Sequence, residues 1–139
     1  MNLYVLDTDI LTLYQTGDAV VVGHAMDQLS SGLTVTVISV EEQLSGWYTR
    51  LRRAKKPEEL AAVYQRLTDT IQSLARFRIL SFTAGAIGRY EELRAKRLNV
   101  SKNDLRIAAI VLEAGGILVT RNTRDFQQIP SLKFEDWSK

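Results

Sequence analysis

Apolar residues in this chain follow two rhythms. Short runs rich in apolar and β-branched residues alternate with longer stretches in which apolar residues recur every three or four positions. The short runs predict strands at residues 2–6 (NLYVL), 33–37 (LTVTV), 78–82 (RILSF) and 117–120 (ILVT), with a short last strand in LKFED at 132–136. ILVT is apolar enough to predict a strand buried on both faces.

The longer stretches predict helices. Residues 8–15 place Ile10, Leu11 and Tyr14 on one face, and residues 18–30 do the same with Val22, Ala25, Met26 and Leu29. From Ser39 onward, Val40, Leu44, Trp47, Tyr48 and Leu51 keep helical spacing. Pro57 opens a long helix whose apolar stripe is Leu60, Val63, Tyr64, Leu67, Ile71 and Leu74. Residues 84–98 read as helix, weakened by Gly85 and Gly88, and residues 104–114 as helix stopped by Gly115-Gly116. Residues 123–128 predict a helical turn.

Strands separated by helices predict an α/β fold: a mainly parallel central sheet of about five strands with helices on both faces. At 139 residues, with no repeat or linker, the expectation is one domain spanning 1–139. Right-handed crossovers then bring the carboxyl ends of the strands to one edge.

That expectation gives meaning to five oxygen-bearing side chains: Asp7, Glu42, Asp104, Asn122 and Asp125. Each stands just after a predicted strand or early in a predicted helix. Converging carboxylates repel unless protons or a cation neutralise them. A hard divalent cation, Mg²⁺ or Mn²⁺, prefers such oxygen ligands, which points to metal-assisted chemistry on a phosphate ester. Each residue also has a structural reading. Asp7 suits a helix N-cap, and Asp9 a first-turn acid. Ser39 through Glu42 matches a capping box, with Ser39 as cap and Glu42 at the third helical position. Ser101 or Asn103 can cap the helix that Asp104 enters. Thr120 to Asp125 has the composition of a plain turn.

Composition narrows the field. With 45% hydrophobic and 24% charged residues, the chain reads as an ordinary globular protein. It has no cysteine, which excludes disulfides and thiolate metal sites. Its one histidine, His24, reads as a solvated or packed helix residue. There is no glycine-rich phosphate loop and no GxSxG elbow. No apolar run reaches membrane-spanning length, and MNLYVLDTD lacks the pattern of a signal peptide, so the expected location is the cytoplasm. The net charge of +2 permits an anionic partner. Basic residues gather at 50–56 and 94–97, both at predicted helix ends, where they complement the helix dipole or hold a polyanion.

Four strings carry a further signal: LDTD at 6–9, SVEEQLSG at 39–46, NDLRIAA at 103–109 and VTRNTRDF at 119–126. In this order and spacing, and with the tail IPSLKFEDW, the chain resembles the PIN-domain family, more narrowly the VapC-type toxins of bacterial toxin–antitoxin pairs. The resemblance implies a Mg²⁺- or Mn²⁺-dependent endoribonuclease, commonly a homodimer, neutralised by a cognate antitoxin protein. The family's acidic positions fall on Asp7, Glu42 and Asp104. The fourth falls on Asn122, where Asp is usual, and Asp125 is placed to supply the missing charge. Gln43 also departs from the family, replacing a usual apolar residue. Two alternatives share the fold: a nuclease of structured RNA or DNA flaps, and a degenerate domain that binds RNA or protein without cutting.

Overall fold

A computed structural model describes residues 2–28 and 32–139. In chain order the elements are β1 (Tyr4–Leu6), α1 (Thr8–Gln15), α2 (Ala19–Asp27), β2 (Thr34–Thr36), α3 (Val37–Arg53), α4 (Pro57–Leu74), β3 (Arg78–Leu80), α5 (Ala84–Ala95), α6 (Lys102–Ala114), β4 (Ile117–Val119), α7 (Thr123–Phe126) and β5 (Phe134–Glu135). Among the described residues the strands form one five-stranded sheet in the order β3-β2-β1-β4-β5, with every pairing parallel. The expected α/β architecture is the observed one.

Strand alternation builds a core on each face of the sheet. Val5 and Leu118 point into a cluster with α5 and α6, centred on Ile107, Ala108 and Val111. Tyr4, Leu6, Val35 and Val119 point to the other side, against Ile10, Leu11, Val21, Ala25 and Trp137. His24 stacks on Trp137, with ring centroids 5.9 Å apart, and its Nε2 lies 2.9 Å from the Lys139 carbonyl oxygen. It is the packed helix residue that its context suggested.

Several expectations need correction. The chain turns helical at Val37, leaving no loop after β2. Thr36 is the N-cap and its hydroxyl accepts the Ser39 N–H at 3.3 Å, so Ser39 is not the cap and Glu42 is not at the third helical position. Val37 and Ile38 have strand composition, and that composition hid the helix start. In α2, Val21 is fully buried, while Met26 is exposed and Val22 is only partly covered. Leu29 and the expected end of that helix lie outside the described residues. On α4 only Val63 and Leu74 of the predicted stripe are buried; Leu60, Tyr64 and Ile71 face outward. The expected strand at 78–82 keeps only three residues at the sheet edge, and α5 stops at Ala95. Other predictions hold: Pro57 opens α4, Ser101 caps α6, and Gly115 ends α6 in the left-handed conformation at φ +69°.

Strand order reverses beside β1. From β1 the chain steps outward through β2 to β3, then crosses back to place β4 on the opposite side. In parallel α/β sheets, ligands bind outside the strand carboxyl ends at such a reversal. Leu6 pairs in register with Val119, so Asp7 and Thr120 emerge side by side there.

Candidate active site

Asp7 is set by β1 and α1 together. Its backbone N–H donates to the Val119 carbonyl at 3.0 Å, and its side chain accepts the Ile10 N–H at 2.9 Å. It therefore caps α1 as the sequence allowed, and one oxygen is committed to that cap. Asp7 is only 6% exposed. Burial pushes its carboxyl up to about 6; the Thr120 hydroxyl and the Ile10 N–H oppose this, and the charges of Asp9 and Asp104 add to it. The Thr120 hydroxyl accepts the Asn122 N–H at 2.9 Å, which leaves its own proton for Asp7.

Glu42 stands on the second turn of α3 and reaches across to α1. Thr8 donates its hydroxyl proton to Glu42 Oε1 at 2.6 Å. The same hydroxyl lies 2.9 Å from the Ser39 hydroxyl. A hydroxyl has one proton to give, so Ser39 donates to Thr8 and Thr8 to Glu42. Ser39 is fully buried, which fixes the relay. Sequence reasoning missed Thr8 and read Ser39 only as a cap. The signal was present as surplus: LDTD holds more capping side chains than one helix needs.

Asp104 enters on the first turn of α6, where Ser101 accepts its N–H at 3.2 Å. Its carboxyl is held above the usual range, first by burial and then by the charges of Glu42, Asp125 and Asp9, against the Ser101 hydrogen bond. Asp104 thus lies within electrostatic reach of acids from α1, α3 and α7. Asn122 stands at the N-cap of α7, Asp125 lies within it, and the Asn122 amide donates to Asp125 Oδ2 at 2.9 Å. Asp9 is paired with Arg121 at 3.7 Å, both well exposed, a contact worth little in water.

Among the described residues, no lysine or arginine pairs with Asp7, Glu42, Asp104 or Asp125. The charges of neighbouring acids help to raise Asp7 and Asp104, and no lysine or arginine among the described residues is paired to relieve them. All their donors are oxygen, which suits Mg²⁺ or Mn²⁺. Among the described residues, no three acids already stand at mutual metal-binding separation. The group is gathered around Asp104 but not closed.

Depressions flank Glu42 on both sides. One lies between α1, α3 and α4, the other between α3 and α6, lined by Glu41, Ser45, Asn103 and Arg106. Arg106 is held in the second by donating to the Asn103 side-chain Oδ1 at 2.9 Å and by the Tyr90 ring, 5.3 Å away.

The sequence profile of the PIN domain matches residues 4–132. Ribonuclease VapC2 of Rickettsia felis is 29% identical, over 99% of both chains. Ribonuclease VapC1 of Haemophilus influenzae strain R2866 is 24% identical, again over 99% of both. Among solved structures, the VapBC2 complex of Rickettsia felis, bound to a DNA fragment from its promoter, contains a chain that superposes with a TM-score of 0.73 at 26% identity, covering 97% of this chain and 98% of that one.

Proposed function

This chain belongs to the PIN-domain family, and from that premise we propose that it is an endoribonuclease of the VapC type, the toxin of a toxin–antitoxin pair. The observation that carries the reading is the set of acids from four helices gathered at the strand-order reversal, with buried Asp7 raised to about 6 and, among the described residues, no lysine or arginine paired to Asp7, Glu42, Asp104 or Asp125.

In this reading Asp7, Glu42, Asp104 and Asp125 would hold Mg²⁺ or Mn²⁺. A divalent cation, when bound, neutralises the carboxylates and supplies Lewis acidity at a phosphodiester. The chain's own residues do the rest. Ile10 and Thr120 orient Asp7, and the Ser39–Thr8 relay fixes one oxygen of Glu42 and leaves the other free. Asn122 supplies a neutral amide that aims Asp125. Arginines in the flanking depressions hold neighbouring phosphates as charge-assisted donors.

The partners follow the relatives. A solved structure similar to this chain is of a member of the VapBC family of toxin–antitoxin systems, and we assign an antitoxin protein here as well. The exposed apolar residues of α4, Leu60, Tyr64 and Ile71, offer a surface for a protein partner or for a second copy in a homodimer. Among the described residues no helix is long and apolar enough to cross a membrane.

Asn122 at the fourth acidic position favours a second reading, a domain that binds RNA without cutting it. One experiment separates the two. Purified chain is incubated with single-stranded RNA and matched DNA, in Mn²⁺ or in chelator, and its melting temperature is read in parallel. The nuclease reading expects RNA cleavage only with metal, and metal-dependent stabilisation. Stabilisation by Mn²⁺ with intact RNA supports the binding domain. Neither stabilisation nor cleavage removes the metal site.

A further inference from the structure

The larger depression beside Glu42 is a groove of about 580 Å³ between α1, α3 and α4. That volume falls within the ~300–1,000 Å³ of small-ligand sites. Gln15 and Gln43 both line it. Neither amide takes part in the hydrogen bonds that hold the acidic site.

The two amides pair reciprocally. Gln15 Nε2 donates to Gln43 Oε1 at 3.1 Å, and Gln43 Nε2 donates to Gln15 Oε1 at 2.7 Å. Their remaining N–H groups go to Ser73 at 3.3 Å and Thr12 at 3.4 Å. Each amide has two protons and two acceptor lone pairs. Both proton sets are therefore consumed, while each carbonyl oxygen keeps one open lone pair. At this pair the groove meets acceptor lone pairs and not amide protons.

The rest of the lining is suited to a nucleotide. The Arg50 guanidinium lies 5.3 Å over the Trp47 ring, and Trp47 is fixed by donating to Thr70 at 2.8 Å. Guanidinium planes and aromatic rings are the surfaces on which unpaired bases stack. Arg50 and Arg66 supply positive charge for a phosphate. Glu42 forms part of the same lining, so a strand held at the acidic site has a neighbouring nucleotide at the groove. An apolar side chain seated there would strand two carbonyl acceptors, which is costly.

We propose that this groove is a base-reading subsite, in which the Gln15–Gln43 carbonyls accept from the exocyclic amine of an adenine, cytosine or guanine next to the cleaved phosphodiester. The two protons of an exocyclic amine satisfy both carbonyls, whereas uracil presents only its single ring N3–H, leaves one acceptor unmet and is disfavoured. This assignment rests on the ribonuclease reading above.

The test is cleavage-site mapping on a randomised single-stranded RNA with Mn²⁺, for wild type, Gln43→Leu and Gln15→Leu. Wild type should deplete uracil about tenfold at one position within two nucleotides of the cut, the effect of one or two neutral hydrogen bonds. In either variant that bias should fall to about twofold or less. Cleavage without uracil depletion in wild type, or with depletion unchanged in both variants, overturns the subsite and leaves the ribonuclease standing. Unchanged depletion with weakened binding of a protein partner overturns it in favour of a peptide seat. No cleavage by wild type removes the ribonuclease reading itself. Should the variants fail to fold, the side-chain amide resonances of Gln15 and Gln43 in wild type decide. Shifts with AMP, CMP or GMP and none with UMP support the subsite; equal response to all four, or to none, overturns it.

Discussion

Helices α4 and α6 are written with similar patterns and end in different environments. Both have acids in the first turn, Glu58 and Glu59 in one and Asp104 in the other, and both have apolar residues at helical spacing. Yet α6 is buried from Leu105 through Val111 but for the partly covered Arg106, while Tyr64 on α4 is 53% exposed and Ile71 50%. The difference lies in what faces each helix. The α6 helix sits against α5 and the sheet centre, whereas α4 lies beside α3 and leads to the edge strand β3. A helical pattern states which face is apolar; only the topology states whether a wall stands opposite. The buried helix holds its acid rigidly, and the exposed one has a surface free for a partner.

The sharpest way to separate the two helices is through their first-turn acids. Asp104→Ala should lower RNA cleavage by about a thousandfold or more, the scale for a group acting where charge develops. Glu58→Ala should leave it within about twofold, as expected of an exposed surface change. Circular dichroism should be unchanged in both. Near-normal cleavage by the Asp104 variant would remove that residue from the mechanism.

Next comes the packing. Ile107 is 1% exposed, and Ile107→Ala should cost about 2–5 kcal/mol in denaturant unfolding. Tyr64→Ser should change stability by about 0.5 kcal/mol or less, yet weaken antitoxin binding or self-association measured by light scattering. If Tyr64→Ser is as destabilising as Ile107→Ala, the α4 stripe is core and not a docking surface.

The buried acid gives the third test. Asp7 is raised from 3.8 to about 6 by burial, so the folded state holds the proton more tightly than the unfolded state. Stability therefore falls as pH rises from about 4 to 6 and stays reduced above. Two pKa units correspond to about 3 kcal/mol. Asparagine caps helices as well as aspartate. In chelator, Asp7→Asn should exceed wild type by roughly 2–3 kcal/mol above pH 7, with the gap closing below pH 4. Parallel stability curves across that range would show that Asp7 carries no burial penalty.

Much of this was legible in the sequence, and the misses share a cause. The α/β order, the Asp7 cap, the Ser101 cap and the Gly115 stop follow from local rules that act within a turn or two. The start of α3 did not, because Val37 and Ile38 have strand composition and only the buried Thr36 hydroxyl reveals the cap. The Thr8–Glu42 bond spans 34 positions in sequence, and no local spacing encodes it. The outward face of α4 is invisible for the same reason: exposure is set by elements far along the chain.

The smallest expected effect concerns the start of α7, where Asn122 and Asp125 meet. Asn122 contributes an amide and no charge, and it donates to Asp125 Oδ2 at 2.9 Å. The bond orients Asp125 toward the group that already raises Asp104. Asp125→Asn removes a charge but keeps an oxygen that can still bind, so its principal effect should be on metal affinity, by about 10–100-fold, the size of losing an outer contact and not a whole ligand. Excess Mn²⁺ should then restore most of the rate. Asn122→Ala keeps the charge and loses only its aim, so it should cost less, at about fivefold. Asn122→Asp replaces a donor with a second carboxylate. It should retain activity and tighten Mn²⁺ binding, since metal affinity rises with ligand charge. A metal titration of cleavage rate for the three variants reads all of this. An Asp125→Asn curve that overlays wild type would make Asp125 a surface acid and leave the site to Asp7, Glu42 and Asp104, with Asn122 as a neutral oxygen beside them.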